Sequence, residues 1–308
     1  MAQTYLGNTA LNQLWLGNIQ INNVPTREQF FGQIIITGPS ASTLFPTQTS
    51  LETELTSSII TDFQIIGTNV YASSSVYYTP SPSMFSASLG ITSVTMDGAL
   101  SVSPFMFVSS TITSASFENA ISVGDSAFNG ATSLSYVNLP KVESLIQGNN
   151  FRDTTNLSFI DLPSLTSAAG NQTFNDSGIV TFSGSVLPSI PKIFNDAPAL
   201  RNVYAPVAES IAGDAFSQSG LRIFSGSSIL TLANNAFRTA TAMEQIWLPG
   251  LSGSTAIGGS TGQTGTFQDI KTSGSISVPS LYATVNGGSP DGDLVYLSGT
   301  RGWTINYL

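Results

Sequence analysis

A recurring phenylalanine is the feature of this sequence that most restricts how the chain can fold. The recurring residues are Phe128, Phe151, Phe174, Phe194, Phe216, Phe237 and Phe267, spaced by 23, 23, 20, 22, 21 and 30 residues. A unit of this length cannot bury its apolar side chains alone, so neighbouring units must stack into a continuous core. The period therefore predicts a solenoid of repeating turns.

A short strand-like phrase follows most of these phenylalanines. Five of them are followed twelve positions later by proline, in LSYVNLP, LSFIDLP, LRNVYAP, MEQIWLP and GSISVP. Alternation of apolar and polar residues within a phrase indicates a half-buried strand, and the proline, which lacks an N–H, ends it. The residues expected to point inward are Val137, Leu139, Ile160, Leu162, Val203, Ile246 and Leu248.

The opposite side of these strands supplies the candidate binding residues. They are Tyr136, Asn138, Phe159, Asp161, Asn202, Tyr204, Gln245 and Trp247. Exposed aromatic rings among amide and carboxylate groups suit sugar rings or a protein partner, because aromatics bring large contact area at low entropy cost. The alternative is that these rings stack on one another and only stiffen the sheet.

Several phenylalanines are preceded by a similar turn: SVGDSAF, SIAGDAF and LANNAF. This turn, followed by Leu-x-x-Ile-x-Leu-Pro, resembles the BspA-like class of leucine-rich repeats, from about Phe107 to Leu281. The resemblance implies a leucine-rich-repeat solenoid. The asparagine ladder of ordinary leucine-rich repeats is missing, since Val142 and Leu165 lie near its expected positions. A parallel β-helix is therefore the alternative architecture.

We expect a mainly β chain in four parts: an anchor hairpin in residues 1–26, a small all-β domain in 27–104, the solenoid in 105–281 and a β cap in 282–308. Residues 27–104 contain β-branched and aromatic runs separated by Pro, Ser and Gly, which favour a small sandwich. In the cap, LVYL and WTINYL are predicted as strands. The glycine-rich segment from Gly253 is predicted as a surface loop.

Composition excludes several function classes. The absence of His and Cys removes Ser-His and Cys-His nucleophile pairs, imidazole metal sites and thiolate chemistry. A net charge of −9, with Arg27 as the only base in the first 140 residues, argues against nucleic acid and against an anionic membrane surface. No apolar run is long enough to insert into a membrane. We expect no enzyme and no cofactor.

Two carboxylate patterns have more than one interpretation. Asp153, Asp176, Asp196 and Asp269 each lie two residues after a repeat phenylalanine. A catalytic or metal row is conceivable, but we favour side chains that cap the following turn by accepting backbone N–H bonds. Asp291-Gly292-Asp293 lacks the further oxygens of a calcium loop and is predicted as a tight turn. No metal site is predicted.

The N-terminus repeats a ten-residue phrase, YLGNTALNQL and WLGNIQINNV. Aliphatic residues alternate with polar ones around Gly-Asn, which predicts a hairpin. The phrase resembles the start of many bacteriophage virion proteins of the tail fibre, spike or decoration type. The resemblance implies attachment to the particle through Tyr5, Leu6, Leu11, Leu14, Trp15, Leu16, Ile19 and Ile21.

These features lead to a functional hypothesis: a bacteriophage structural protein, present in many copies, whose solenoid binds a host-surface glycan or protein or another virion protein. The first alternative is a purely structural decoration or cement protein of the capsid or tail. A bacterial surface adhesin is the second, although no signal peptide or cell-wall anchor is visible in the sequence. A depolymerase based on carboxylates is the third.

Overall fold

The structure is a computed structural model that describes residues 13–16, 19–22, 32–56, 60–252, 257, 265–285 and 287–308. For residues 13–16 and 19–22 it describes the backbone only. Its helices are α1 (Ala41–Leu44), α2 (Gln48–Thr53) and α3 (Gly292–Arg301), with a 3-10 helix at Ser280–Ala283. The remaining regular elements are strands, so the predicted mainly β class is confirmed.

The strands are β1 (Gln13–Leu16), β2 (Ile19–Asn22), β3 (Gly32–Thr37), β4 (Leu55–Thr56), β5 (Ile60–Ile66), β6 (Asn69–Ser74), β7 (Thr79–Pro80), β8 (Ser93–Met96), β9 (Ser101–Val102), β10 (Ser114–Ser116), β11 (Ser122–Val123), β12 (Tyr136–Asn138), β13 (Ser144–Leu145), β14 (Ser167–Ala168), β15 (Thr181–Ser183), β16 (Ser189–Ile190), β17 (Asn202–Tyr204), β18 (Ser210–Ile211), β19 (Ile223–Ser225), β20 (Thr231–Leu232), β21 (Gln245–Trp247), β22 (Ser275–Val278) and β23 (Thr304–Tyr307).

A solenoid of about seven turns forms the body of the molecule. All but one of the turns contribute a strand of three or four residues to one side, where the strands pair in parallel as β8-β10-β12 and again as β15-β17-β19-β21-β22. Most turns contribute a two-residue strand to a second side, in the series β9-β11-β13-β14 and β16-β18-β20. Parallel pairing satisfies the backbone of each turn through the turns above and below it.

The turn at Phe159 is the least regular of the series. LSFIDLP was predicted as a strand, but it contributes only one isolated parallel bridge, between Phe159 and Thr181. The sheet is therefore interrupted between β12 and β15. Ile160 and Leu162 are nevertheless buried, as the alternation predicted.

Nine phenylalanine rings form the centre of the core. Phe85 and Phe107 precede the seven residues found in the sequence, and every ring in the series is fully buried. Successive centroids lie 5.0 to 5.8 Å apart, with interplanar angles between 5° and 13°. Such offset stacking adds to the free energy gained by burying each ring.

The turns around these rings use left-handed backbone at fixed places. The residue two positions after the ring has a positive φ in each turn from Phe85 to Phe267, for example 58° at Asp153 and 71° at Gly130. Asp and Asn tolerate this conformation better than most residues. The left-handed backbone at this position therefore explains why aspartate recurs two residues after the ring. The prediction that the four aspartates of this register cap the turn is wrong, because in the described residues none of their carboxylates accepts a backbone N–H.

The N-terminal region is one sheet continuous with the solenoid. Strand β3 pairs antiparallel with both β6 and β8, which gives the order β12-β10-β8-β3-β6-β5. The predicted separate sandwich is therefore wrong, because the main sheet of residues 32–104 continues into the solenoid and β9 joins the solenoid's second side, while β4 and β7 form only a two-stranded pair. Helices α1 and α2 were also not predicted. The four domain boundaries stay predictions, although this sheet crosses residue 104.

The C-terminal region ends the solenoid with a helix and a strand. LVYL lies in α3, so its prediction as a strand is wrong, whereas WTINYL forms β23, which pairs in parallel with β22. Leu294 and Leu297 are buried three residues apart on one face of α3, a helical spacing. Asp291 is the N-cap of this helix, and Gly302 ends it with φ 68°.

Candidate binding face of the solenoid

The aromatic residues predicted to point outward are exposed. The exposed fractions are 58% for Tyr136, 64% for Phe159, 44% for Tyr204 and 39% for Trp247. Of their polar neighbours, Asp161 and Gln245 are exposed, while Asn138 and Asn202 are half-buried. The seven residues predicted to point inward are at most 7% exposed. Alternation therefore predicted the orientation of the strands correctly.

Strand register places most outward residues in two rows that run along the solenoid; in the interrupted turn, Phe159 is placed by its bridge to Thr181 and Asp161 by its position two residues later. The first row is Ser114, Tyr136, Phe159, Thr181, Asn202, Ile223, Gln245 and Ser275. The second row is Ser116, Asn138, Asp161, Ser183, Tyr204, Ser225, Trp247 and Ser277. We call the two rows together the outward face.

The aromatic residues are divided between the rows. Tyr136 and Phe159 belong to consecutive turns in the first row, while Tyr204 and Trp247 lie two turns apart in the second row with Ser225 between them. Neighbouring strands are about 4.8 Å apart, so Tyr204 and Trp247 are separated by about 10 Å at the backbone. Serine is too small to fill the space between two such rings.

The outward rings do not stack on one another. Every ring pair found in the described residues involves buried phenylalanines, and none includes Tyr136, Phe159, Tyr204 or Trp247. The alternative that these rings only stiffen the sheet therefore has no contact to support it. The four side chains are therefore accessible to a ligand.

Side-chain hydrogen bonds hold the amides of this face in place. Asn138 donates from Nδ2 to Ser116 Oγ at 3.1 Å and to Glu118 Oε2 at 3.3 Å. Asn202 donates from Nδ2 to Thr181 Oγ1 at 3.4 Å. Both amides are thus tied to the neighbouring turn, which reduces the entropy lost when a ligand binds them.

The charged residues beside the face are engaged with one another. Arg222 donates to both carboxylate oxygens of Glu244 at 2.9 Å, and Lys271 contacts the same carboxylate at 3.3 Å. These hydrogen bonds lower the pKa of Glu244. Arg201 donates to the carbonyls of Pro198, Leu200 and Gly220. The rows themselves contain one charged residue, Asp161.

The carboxylate patterns considered for catalysis lie elsewhere. The register aspartates occupy the turns at the buried phenylalanines, where burial and the Asp176 carboxylate raise the pKa of Asp196 and Lys192 partly offsets this. In the described part of the chain no group of three or more Asp or Glu side chains is arranged to hold a metal ion.

Asp291 and Asp293 are the most deeply buried acids in the described chain, at 0% and 1% exposed. Asp291 Oδ1 accepts from the N–H groups of Asp293 and Leu294, and its Oδ2 accepts from Ile257 at 2.9 Å. The predicted tight turn is therefore a helix start. It also fastens Ile257, a residue of the predicted surface loop that is itself buried; the rest of that loop up to residue 264 lies outside the described residues.

Asp293 differs from Asp291 because neither of its carboxylate oxygens has a hydrogen-bond partner within the described residues. Its pKa is raised from 3.8 to about 7, mainly by burial and to a smaller extent by the neighbouring Asp291 carboxylate. The nearby Thr266 hydroxyl lowers the pKa in part, although the two groups lack good hydrogen-bond geometry.

The anchor residues have a partial structural account. Strands β1 and β2 pair antiparallel from Gln13↔Asn22 to Leu16↔Ile19, so a hairpin forms in the predicted segment. Leu14, Trp15, Leu16, Ile19 and Ile21 lie in these strands. Tyr5, Leu6 and Leu11 lie outside the described residues. The role of the segment as an anchor stays a prediction.

A serine row on the second side of the solenoid was not recognised in the sequence. Ser101, Ser122, Ser144 and Ser167 are in register, and Ser189, Ser210 and Thr231 continue the pattern. Each precedes an inward residue of a two-residue strand, a phrase too short to give a periodic signal. A shallow depression lies along the last three of these turns.

A comparison with family models finds the BspA-type leucine-rich repeat region, in six copies, at residues 68–181. The chain contains a BspA-type leucine-rich repeat region. The match begins before the first turn expected from the sequence, in agreement with the buried Phe85 and with β8. Beyond residue 181, the leucine-rich repeat solenoid continues in the same parallel register to β22.

No curated protein sequence matches the chain. Among the described residues, the helices are all too short or too polar to span a bilayer.

Proposed function

We propose that this leucine-rich repeat chain is a structural protein of a bacteriophage particle, of the fibre or spike type, that presents its outward face for adhesion. The observation that carries the adhesive part is the set of four exposed, unstacked aromatic side chains on one face. The particle part is supported by the resemblance of the N-terminal phrase to virion proteins.

Exposed rings favour a binding role because of their energetic cost in water. Tyr136, Phe159, Tyr204 and Trp247 each keep between 39% and 64% of their surface accessible. A soluble protein rarely maintains several such rings on one face unless something covers them. Tyrosine and tryptophan are also the residues most enriched among those that dominate binding energy.

Adhesion by such a face would depend on copy number. Two rows of contacts on a narrow face give modest affinity for one molecule. When many copies are fixed on one particle, each further contact becomes intramolecular, and overall attachment strengthens by roughly a hundredfold or more. This mechanism requires an anchored end and a free face.

The N-terminal hairpin fits the anchored end. A two-stranded hairpin is marginally stable alone in water. Strands β1 and β2 pair only with each other among the described strands. A partner surface on the particle would stabilise the hairpin, as expected of an attachment segment.

Immunoelectron microscopy tests the proposal. An antibody raised against the full chain is applied to intact and to disrupted particles purified from the cells that produce the chain. The proposal predicts labelling of intact particles and reduced adsorption to bacteria after antibody treatment. Labelling only after disruption would favour the structural cement alternative, and no labelling in either preparation would refute a virion protein.

A variant tests the contribution of the face. Particles carrying Tyr204→Ser and Trp247→Ser together are expected to assemble in normal yield but to adsorb at least about tenfold more slowly. Phe105→Ala is the matched control, because Phe105 is 43% exposed and lies in a turn outside the two rows. Equal adsorption of both variants would remove the outward face from the proposal.

A further inference from the structure

We infer that the ligand of the outward face is a neutral polysaccharide that lies along the solenoid axis. This inference rests on the proposed adhesive function and specifies its ligand. It depends on three features of the face: its chemical composition, the spacing of its rings and the arrangement of the charges beside it.

The composition of the two rows matches a hydroxylated, uncharged ligand. Seven of the sixteen positions are Ser or Thr, three are Asn or Gln, four are aromatic, and the remaining two are Ile223 and Asp161. Hydroxyl and amide groups both donate and accept, as sugar hydroxyls do. The aromatic faces carry negative charge density, which suits the C–H groups on the flat side of a pyranose ring.

Electrostatics disfavour an anionic ligand. The rows contain no Lys or Arg, although phosphate, sulfate or carboxylate recognition depends on such groups. The nearest bases are held by other partners: Arg222 and Lys271 by Glu244, and Arg201 by three carbonyls. An anion would have to break these contacts and approach Asp161 and a chain of net charge −9.

The geometry favours an extended chain of sugars over a single sugar. The four rings extend from the turn of Tyr136 to the turn of Trp247, five strand spacings away, which is about 24 Å. Tyr136 and Phe159 lie in consecutive turns, the turn of Ser183 separates Phe159 from Tyr204, and the turn of Ser225 separates Tyr204 from Trp247. A flat face with spaced platforms can bind successive units of one chain, each contributing a small part of the affinity.

A protein partner fits this face less well. Protein interfaces usually place hydrophobic and aromatic residues together at a desolvated centre surrounded by a polar rim. Here Tyr136 and Phe159 are neighbours at one end of the face, whereas Tyr204 and Trp247 lie in the other row with Ser225 between them. The four rings therefore do not gather at one centre. Rings spread among hydroxyl and amide side chains instead suit the mixed apolar and hydroxylated surface of a neutral glycan.

Calorimetry with the purified full-length chain tests the inference. The probes are neutral oligosaccharides of two, four and six units from dextran, cellulose, xylan, mannan and chitin, with hyaluronate and alginate fragments of matched length as anionic probes. We expect at least one neutral series to bind with an affinity that rises with length. Its dissociation constant should change little between 50 and 500 mM salt, because screening acts on charges only.

Variants locate the binding. Trp247→Ala and Tyr204→Ala should each weaken binding of the neutral hexasaccharide roughly tenfold or more. Phe105→Ala, outside the rows, should not change it. Loss of binding in Phe105→Ala equal to that in Trp247→Ala would overturn the assignment to this face.

The two proposals can fail separately. If the chain attaches to bacterial cells and this attachment depends on Trp247, but every neutral oligosaccharide fails to bind, the polysaccharide inference is wrong and adhesion stands. Preferential, salt-sensitive binding of the anionic fragments would also overturn it. If the chain binds neither cells nor glycans, the proposed adhesive function fails together with its ligand.

Discussion

The two ends of the solenoid close the same core by different chemistry. At the N-terminal end, β3 inserts Ile34 and Ile36 against Val94 and Met96, all completely buried. At the C-terminal end, α3 contributes Leu294 and Leu297 but also buries Asp291 and Asp293. An apolar closure depends mainly on packing, whereas a closure with buried acids also depends on hydrogen bonding and protonation. The ends should therefore respond differently to mutation and pH.

The largest difference is expected at the two ends of the phenylalanine stack. Phe85 stacks on Phe107 at 5.2 Å and meets Phe45 edge to face at 5.9 Å, while Phe267 stacks on Phe237 at the longer distance of 5.8 Å. Truncation of a buried phenylalanine costs about 3 to 5 kcal/mol. In urea unfolding, the loss of stability should lie at the upper end of this range for Phe85→Ala and at the lower end for Phe267→Ala. The reverse order would contradict an apolar closure at the N-terminal end.

The next effect concerns the buried cap of α3. Asp291→Ala leaves the N–H groups of Ile257, Asp293 and Leu294 without their acceptor, and should destabilise the chain by roughly 2 to 3 kcal/mol. Hydrogen exchange should increase first in residues 292–301. Asp291→Asn retains one acceptor oxygen and serves as the matched control. Unchanged exchange in α3 of Asp291→Ala would show that the cap does not hold the helix.

Asp293 should make the C-terminal closure sensitive to pH. Its pKa is raised from 3.8 to about 7, so the folded chain keeps this proton after the unfolded chain has lost it. The contribution of Asp293 to stability is therefore greatest below about pH 4, falls as the pH rises toward 7, and levels off above it. Asp293→Asn should remove this decline.

The free energy of unfolding is measured for the wild type and for Asp293→Asn between pH 4 and pH 8.5, and the second value is subtracted from the first. The subtraction cancels the contributions of the other titrating groups. The same subtraction for Ile36→Val, at the N-terminal end, should not vary with pH. A flat difference for Asp293→Asn would show that this carboxylate has an ordinary pKa.

The smallest effect is expected at the exposed cap of the N-terminal end. Thr47 caps α2 by accepting the N–H of Ser50 at 3.1 Å, and the Ser50 hydroxyl accepts the Thr47 N–H in return. Because water can replace these bonds, Thr47→Ala should cost about 0.5 to 1 kcal/mol in urea unfolding, less than Asp291→Ala. An equal cost for both would contradict the distinction between a buried and an exposed cap.

The features that recur in every turn could be predicted from the sequence. The phenylalanine period and the alternation within phrases such as LSYVNLP gave the solenoid, the buried side and the exposed rings of the outward face. Phe85 was missed, and Phe107 was placed at the start of the repeats without being counted in the phenylalanine series; FSASLGITSVTM and FVSSTITSASF lack the proline that closes five of the later strands. Their turns still pair in register, since β8 and β10 supply the same parallel backbone contacts.

Features that depend on tertiary contact were not predictable from local pattern. LVYL has the composition of a strand, but Asp291 caps a helix there and buries Leu294 and Leu297 against the last turns of the solenoid. The aspartate register was recognised but misinterpreted, because a positive φ favours Asp for its backbone tolerance without requiring a carboxylate hydrogen bond. The division of the aromatic residues between two rows could not be predicted, because it becomes visible only when the register between neighbouring strands is known.

The parallel register also determines how this protein can change in length. Each turn from β8 to β22 contacts mainly the turn before and the turn after it, through the same backbone pairs and the same stacked ring. Duplication or deletion of one whole turn in the gene would preserve those contacts at the new junction and alter the molecule by about 5 Å. A tandem coding repeat of this kind gives natural selection a way to adjust reach in fixed steps without redesigning the core.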